Sequence, residues 1–404
     1  MNIDKKLLTI VVCLVILSQN LMRAAPLQQN GSIAVCSVSA ASAWSEPNPQ
    51  ELGACQGEPA KILPPLPLLG SVNVPHHVTQ LLYGERVKVC AEPECNGWVK
   101  IQTLEQIGFD QLKRHWCYVY AWVRGDNVLP VTAFTQPNVV VTHQWATVYA
   151  RPDPTSCVYM HIPFASLLCG SKVEQSSGWY CIELYDGRIG FVHAGQLAEL
   201  SAVVRDANIA TIRTALVNFA HDFVQVKSLY LWGGRSPANP ENFQDVAMAV
   251  GSAASVDCSG LINLVYRACG LSVPRNSYAQ FLKATPVEPA RVQPGDLIFL
   301  EIANAFGISR VRHVLMYIGT DAADNALLIE STGGDAVKEK CTRVTTMQAN
   351  FGVKNLKHVT NGQTIARFEK GQKLSSAKIY CGTFLDREHL QERRTELLVT
   401  DHIS

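Results

Sequence analysis

The chain carries a short motif, Asp257-Cys258-Ser259-Gly260, at the head of a predicted helix. Apolar residues follow the motif at helical spacing: Leu261, Leu264, Val265 and Ala268. Asp257 is predicted to cap the helix, which places Cys258 in its first turn. The unpaired amides and the dipole at that end favour a thiolate, which is the nucleophilic form of cysteine. The motif therefore indicates a reactive cysteine; a half-disulfide or a small core residue is the alternative.

A candidate partner for this cysteine is His313, the first residue of the apolar run at 313–319. A second strand is predicted at 326–331, after a short polar loop. If Ile318 and Asn325 close the hairpin, Glu330 lies directly opposite His313, with ~5 Å between their Cβ atoms. A carboxylate there would orient the imidazole and raise its pKa, which favours a thiolate–imidazolium pair. The alternatives are a structural histidine and, if the register slips by one residue, a solvated glutamate.

Composition and charge exclude several classes of function. The length of 404 residues predicts two or three domains. The formal net charge of +1 gives no broad positive field for nucleic acid or an anionic membrane.

Cys90 and Cys95 lack a second Cys or His pair at zinc-like spacing, and the Trp-Gly-Gly motif at 232–234 lacks the Lys-Ser/Thr of a nucleotide loop. We therefore predict no metal and no cofactor, and a turn at 232–234 that packs beside the helix of Cys258.

The first residues of the chain predict a targeting segment. Lys5 and Lys6 precede an apolar run at 7–17, and small residues follow at 24–25. Because this run is shorter than the roughly 20 residues of a membrane span, we predict a signal peptide at 1–25, with a retained signal anchor as the alternative. The mature chain is then expected to be exported, periplasmic or secreted, without a transmembrane helix. Most of its remaining cysteines could pair in such a compartment.

The regions that follow differ in composition and in predicted secondary structure. Prolines mark a predicted linker at 26–70. Two β-rich segments follow at 71–130 and 137–200, each with a strand that opens on Gly-Trp and a later aromatic residue followed by Val. Both segments resemble bacterial SH3-like domains, which are small β-barrels. The first segment departs from that pattern through an insertion at 103–116 and through Ala121, where the family has Gly.

The region 206–404 combines predicted helices with strands, which is an α+β pattern. Its motifs, in chain order, resemble those of the NlpC family of papain-like cell-wall peptidases: Tyr230-Leu231-Trp232-Gly233-Gly234, Asp257-Cys258-Ser259-Gly260, Pro274-Arg275-Asn276-Ser277, Pro294-Gly295-Asp296-Leu297 and His313-Val314. With two SH3-like segments upstream, the chain is similar to the γ-D-glutamyl-L-diamino acid endopeptidases of that family. The resemblance implies a papain-like fold and hydrolysis of the bond between D-Glu and the diamino acid in peptidoglycan stem peptides.

The resemblance also implies roles for single residues. Cys258 corresponds to the nucleophile and His313 to the general base. Glu330 corresponds to a third polar residue that is commonly His and sometimes Asn or Gln in the family, so Glu is a departure. Asp257 and Ser259 are implied to bind the free amine of an N-terminal L-Ala. The full set of expected substrate-binding residues is Asp257, Ser259, Glu85, Tyr118, Tyr230 and Trp232.

Two of these residues belong to the first SH3-like segment, which contributes an acid and a tyrosine to the cleft in the same branch. Glu85 matches the acid by its local sequence. Val119 falls at the expected offset of the tyrosine, so its neighbour Tyr118 is the candidate, with Tyr120 on the other side. Ordinary barrel surface is the alternative for both positions.

Other functions for the whole chain stay open. The same Cys and His could serve an N-acetylmuramoyl-L-alanine amidase or a DL-endopeptidase that acts on intact peptidoglycan. An inactive wall-binding protein is the alternative from another class, suggested by Glu330 and by the number of cysteines. We expect a monomer whose partners are peptidoglycan stem peptides and not nucleic acid.

Overall fold

Strands and helices are described by the computed structural model for residues 31–47, 77–92, 94–200, 208–237, 255–303, 307–333 and 341–386. The predicted signal peptide, residues 26–30 and 48–70 of the predicted linker, and residues 71–76 of the first SH3-like segment lie outside these ranges. The first region contains seven strands: β1 (Ile33–Cys36), β2 (Ala40–Trp44), β3 (His77–Leu82), β4 (Arg86–Val89), β5 (Trp98–Asp110), β6 (His115–Arg124) and β7 (Val128–Pro130).

These seven strands form one antiparallel sheet in the order β3-β2-β6-β5-β4-β1-β7. Strands β1 and β2 fall inside the range 26–70, so the prediction of a linker is wrong for this part of it. The reason is packing: Ala34 and Ala41 are small apolar side chains that lie in the core of the first sheet with Val87 and Ile101. The prolines that suggested a linker come later in the sequence.

The second region contains eight strands: β8 (Val139–Val141), β9 (Trp145–Tyr149), β10 (Val158–Pro163), β11 (Leu167–Leu168), β12 (Gly170–Lys172), β13 (Trp179–Glu183), β14 (Ile189–His193) and β15 (Leu197–Glu199). They form a five-stranded sheet, β10-β9-β14-β13-β12, and a three-stranded sheet, β11-β8-β15. The predicted hairpin of β13 and β14 is present, and Gly187 has φ +83° in its turn. Neither β-rich region forms a closed barrel within the described residues, so the SH3-like assignment stays a prediction.

The third region is α+β, as predicted. Its helices are α1 (Ile209–Gln225), α2 (Cys258–Ala268), α3 (Ser277–Lys283) and α4 (Met347–Phe351). Its strands are β16 (Thr285–Pro286), β17 (Leu297–Ala303), β18 (Ser309–Thr320), β19 (Ala326–Thr332), β20 (Cys341–Thr346), β21 (Gln363–Glu369) and β22 (Gln372–Thr383). The strands form a sheet in the order β16-β22-β17-β18-β19-β20, and β21 pairs with β22. All eleven residues of α2 are buried, which makes this helix the centre of the region.

The register between β18 and β19 differs from the prediction by two residues. Met316 pairs with Ile329 and Tyr317 with Leu328, and the register then shifts before Gly319 pairs with Leu327. The hairpin closes at Thr320 and Ala326 and not at Ile318 and Asn325, which offsets the register by three residues, and the irregularity at Ile318 reduces the offset to two. Because the error is an even number of residues, the side-chain alternation is preserved and the predicted residues remain on the same face of the sheet.

The insertion predicted at 103–116 extends the hairpin of β5 and β6. After a register shift between Gln102 and Ile107, pairing resumes and ends at Asp110 and His115. The ring of Phe109 lies 5.3 Å from Trp116 and 6.2 Å from Tyr278 of α3, measured between centroids. The first sheet therefore contacts the third region through this hairpin.

The predictions about a membrane-spanning helix and about disulfides can be compared with the structure within the described ranges. Within those ranges, no helix has both the length and the apolar character that a membrane crossing needs. The same ranges hold eleven cysteines, and no disulfide joins any two of them. The expectation that most cysteines pair is therefore not met in this part of the chain.

Candidate active site

Cys258 is the first residue of α2, and the preceding Asp257 caps the helix. The Oδ1 atom of Asp257 accepts a hydrogen bond from the backbone N–H of Gly260 at 2.6 Å. Only 7% of Cys258 is exposed. The thiol therefore lies at the N-terminal end of a buried helix, where the helix dipole favours negative charge.

His313 lies next to Cys258, close enough for the two side chains to interact. It lies on β18, which packs against α2, and is 8% exposed. Burial alone would lower the pKa of His313, but the hydrogen bonds and charges of Cys258 and Glu330 raise it to about 9. The imidazole is therefore held in its protonated form beside the sulfur.

Glu330 contacts His313 directly. The Oε2 atom of Glu330 lies 2.7 Å from Nε2 of His313. This leaves Nδ1 as the ring nitrogen available to the thiol. Burial raises the pKa of Glu330, whereas the hydrogen bond and charge of His313 and the charge of Arg343 lower it to about 2. The three residues predicted for the chemistry are thus in contact, in the order Cys258, His313, Glu330.

Asp257 has a second role besides capping, because both its oxygens bind Arg275. The two terminal nitrogens of Arg275 donate to Oδ1 at 3.1 Å and to Oδ2 at 3.0 Å. Ser259 Oγ donates to Oδ1 of Asp257 at 3.0 Å. Arg275 itself is held from the first sheet: its Nε donates to Thr79 Oγ1 and its backbone N–H to Ile107 O, each at 2.8 Å. The expected amine-binding pair is therefore already bonded to a buried cation.

Glu85 is also paired with a buried arginine. It is 1% exposed, and its Oε1 atom lies 2.6 Å from Nη1 of Arg235. Its Oε2 atom accepts from Gln106 Nε2 at 2.9 Å. Arg267 lies beside this pair, with its Nη2 3.7 Å from Oε1 of Glu85 and 2.6 Å from Oε2 of Glu105. The structure places Glu85 in a charge network between the first sheet and the third region.

The remaining predicted residues differ in position. Burial raises the pKa of Tyr230, as do the nearby charges of Cys258 and Asp257, so this tyrosine lies beside the nucleophile helix. Trp232 is 46% exposed, and its backbone carbonyl lies 2.8 Å from Nδ1 of His77, which ties the 232–234 turn to β3. Tyr118 pairs with Ile107 in the β5–β6 hairpin.

Sequence reasoning missed the arginines that hold these acids. Arg275 is buried and binds the carboxylate of Asp257, and Arg343 is half-buried and binds the carboxylate of Glu330. A usable signal exists for Arg275, which stands in the Pro274-Arg275-Asn276-Ser277 motif. Arg343 gives no local signal, because it meets Glu330 only through the pairing of β19 with β20. Within the described residues, no cluster of three or more His, Cys, Asp or Glu side chains could hold a metal ion.

The third region, which contains the candidate active site, is similar to a known protein family. Residues 227–361 match the model of the NlpC/P60 family. The C-terminal part of the chain is an NlpC/P60 domain. The matched range contains the cysteine, the histidine and the glutamate described above, whereas the sheet of the third region continues beyond it to Thr383.

Several proteins resemble the chain in sequence. "Probable endopeptidase p60" of Listeria grayi is 28% identical over 143 residues, 33% of this chain and 24% of that protein. "Peptidoglycan endopeptidase RipB" of Mycobacterium tuberculosis is 32% identical over 104 residues, 26% of this chain and 37% of that protein. "Dipeptidyl-peptidase 6" of Lysinibacillus sphaericus is 24% identical over 270 residues, 64% of this chain and 82% of that protein. The chain thus spans about a quarter of the p60 protein of L. grayi and most of the dipeptidyl-peptidase.

One solved structure is similar over most of its length. The crystal structure of an NlpC/P60 family protein from Bacillus cereus superposes with a TM-score of 0.56 at 22% identity. The match covers 78% of this chain and 94% of the other. Since residues 206–404 make up only about half of the chain, the likeness in fold extends into the β-rich regions.

Proposed function

We propose that this protein is a cysteine peptidase that hydrolyses the bond between D-Glu and the diamino acid of peptidoglycan stem peptides. The observation that supports it most is the position of His313, bonded to Glu330 and next to Cys258, inside a domain that matches the NlpC/P60 family. The names of the p60 and RipB relatives describe endopeptidases, and that of RipB specifies peptidoglycan. The γ-D-Glu bond is proposed from the resemblance of the motif order together with the two SH3-like segments upstream.

The geometry suggests a mechanism in two steps. In the first, the Cys258 thiolate attacks the carbonyl carbon of D-Glu, and protonated His313 gives its proton to the leaving amine of the diamino acid. In the second, neutral His313 takes a proton from water, which attacks the thioester and releases the acid and the thiolate. Glu330 holds the ring of His313 through Nε2 and stabilises its positive charge.

A free N-terminal L-Ala on the substrate is the first candidate for specificity. It is supported by the relative named "Dipeptidyl-peptidase 6", which matches over 82% of its length. In this proposal Tyr230 and Trp232 line the cleft beside Cys258, with Tyr118 on the side of the first sheet. Ser259 and Asp257 bind the amine, and Glu85 contributes through its charge.

Cleavage within intact peptidoglycan is the second candidate. One observation favours it: Asp257, which is expected to bind the amine, and Glu85, which is expected to contribute an acid to the cleft, each form an ion pair with a buried arginine. An arginine at each acid cancels the negative charge that a free amine would seek. On this candidate the substrate is the stem peptide still linked to its sugar.

Product analysis on matched substrates separates the two candidates. We expect L-Ala-γ-D-Glu-diaminopimelate to be cut at the γ-D-Glu bond, and the same peptide with an acetylated N-terminus to be cut at least tenfold more slowly. Acetylation removes one charge-assisted hydrogen bond, which accounts for about that factor. Mass spectrometry identifies the fragments. Equal rates would support the intact-wall candidate, and cleavage of the bond between L-Ala and D-Glu would contradict the proposed bond.

The pKa of His313 predicts the upper pH limit of activity. Because that pKa is raised from 6.5 to about 9, the imidazolium that protonates the leaving amine persists below about pH 9 and is lost above it. We expect kcat/KM to fall as the pH rises through about 9. Measurement of kcat/KM between pH 5 and 10, with circular dichroism at each pH to verify folding, checks this. A decline centred near pH 6.5 would contradict the ion-pair description.

We also infer the cellular setting. A peptidoglycan hydrolase acts outside the cytoplasm, so we propose an exported protein, periplasmic or secreted, with its signal peptide at 1–25. The proposed domains are two SH3-like domains at 71–130 and 137–200 and the peptidase domain at 206–404, in a monomer without a cofactor. The resemblance in fold to the B. cereus protein beyond the peptidase region supports the two additional domains.

A further inference from the structure

Glu330 is held on the side opposite His313 by a second set of polar groups. Its Oε1 atom accepts from Nε of Arg343 at 3.1 Å and from Nη2 at 2.9 Å. Asn350 Nδ2 of α4 donates to the same oxygen at 3.3 Å. Since Oε2 is bonded to His313, the carboxylate is fixed at both oxygens.

Arg343 is fixed in turn by a second acid. It is the direct cross-strand neighbour of Glu330, on β20. On its other side its Nη1 donates to Oε1 of Glu369 at 3.0 Å and its Nη2 to Oε2 at 2.8 Å. Glu330 and Glu369 are only 2% and 6% exposed, so water does little to screen these charges. The guanidinium therefore lies clamped between two buried carboxylates.

The other charges around this set come from neighbouring elements. Arg367 of β21 faces both Glu330 and Glu369. On the far side of His313 the charged and titratable groups near Cys258 are Asp257, Arg275 and Tyr230. Arg343 is the cation that directly contacts Glu330 on the side away from His313. Its removal would leave Oε1 of a buried carboxylate with Asn350 as its hydrogen-bond donor.

We propose that Arg343, held by Glu369, is a positioning residue that keeps Glu330 ionised and aimed at Nε2 of His313. The third member of the catalytic set is then a carboxylate–arginine pair and not a single polar side chain. The inference rests on the proposed roles of Cys258 and His313. It concerns a group that acts through Glu330 and does not touch the substrate.

The expected effect follows from the charge balance. Burial favours the neutral form of a carboxyl group, and Arg343 opposes this by adding positive charge and two hydrogen bonds. Without the arginine, Glu330 protonates at a higher pH and no longer supports the imidazolium. The thiolate of Cys258 depends on that imidazolium, so its formation also moves to a higher pH.

Alkylation of Cys258 by iodoacetamide tests the proposal without any substrate. The variants are Arg343→Gln, Arg343→Lys and Glu369→Gln, with Lys378→Gln as control, since Lys378 forms an exposed ion pair with Glu301 in the same sheet. The rate is followed from pH 3 to 10 by mass spectrometry of the peptide that contains Cys258, because other cysteines also react. Far-ultraviolet circular dichroism verifies folding.

We expect Arg343→Gln to shift the acid limb of the rate profile upward by about one pH unit, the size typical of removing a close charge. Arg343→Lys restores at least half of the shift, Glu369→Gln shifts the limb less in the same direction, and Lys378→Gln has the parent profile. An unchanged limb in Arg343→Gln, or a lysine variant no better than glutamine, overturns the proposal. If Arg343→Gln does not fold, Glu369→Gln decides in the same way.

The same data separate this inference from the proposed function. If the parent protein shows no rapid alkylation at low pH, the thiolate–imidazolium pair is absent and the proposed function fails. If the parent shows it and the Arg343 variants match the parent, only the positioning role fails.

Discussion

Replacement of Cys258 by alanine is expected to lower kcat/KM for the stem peptide by about 10⁴-fold or more, the loss seen when a nucleophile is removed from a comparable catalytic set. Without the sulfur there is no acyl-enzyme, and His313 has no thiol to activate. The measurement is the initial rate of cleavage of L-Ala-γ-D-Glu-diaminopimelate, with products identified by mass spectrometry. The change removes one small side chain from the first turn of α2, so the fold should be retained.

Cys269 provides a matched control at the other end of the same helix. It is buried, and burial raises its pKa to about 12, so it is an unreactive thiol. Cys269→Ala should keep kcat/KM within about threefold of the parent, because it lies outside the set of residues that contact His313. Activity that persists in Cys258→Ala, or that disappears equally in both variants, would remove Cys258 from the mechanism.

Replacement of Arg235 by methionine is expected to destabilise the protein by about 3–5 kcal/mol, the cost of leaving one partner of a buried ion pair without the other. Arg235 is fully buried and lies 2.6 Å from Glu85. Its backbone N–H also donates to Gln80 Oε1 at 2.7 Å, and methionine would keep that bond. Urea unfolding followed by tryptophan fluorescence gives the change in the free energy of unfolding.

The double variant distinguishes the loss of the ion pair from the loss of packing. If Glu85 without its arginine is the cause, then adding Glu85→Gln to Arg235→Met should recover part of the stability, since a neutral amide costs less to bury than a charge. Arg188→Met is the control, because Arg188 pairs with Asp186 where both side chains are partly exposed, and it should change stability by no more than about 1 kcal/mol. A double variant less stable than Arg235→Met would contradict the ion-pair explanation.

The parts of the site that could be predicted from the sequence are those with local causes. Asp257 caps α2 because the capping residue and the amide it binds are three positions apart. The pairing of His313 with Glu330 was predicted although its register was wrong by two residues. Strand alternation alone put both side chains on one face, and the longer glutamate and imidazole bridge the difference.

The parts that could not be predicted depend on the meeting of distant segments. The partners of Asp257 and Glu85 are arginines placed by the docking of the first sheet on the third region. A sequence indicates that a buried acid needs a cation but not which cation the fold brings to it. Strands β1 and β2 were missed for a similar reason. Their small residues become a core only when β4, β6 and β7 lie beside them.

Arg275 has a consequence for protein engineering. The guanidinium of Arg275 binds Asp257, the cap of α2, and Thr79 of β3, and the backbone N–H of Arg275 donates to the carbonyl of Ile107 on β5. Both strands lie well over a hundred positions earlier in the chain. The segment 206–404 therefore should not be moved to another protein by itself. A chimera that replaces the first sheet would lose the contacts of Arg275 with Thr79 and Ile107, which support the helix of Cys258. Fusions and domain swaps should carry residues 77–110 along with it.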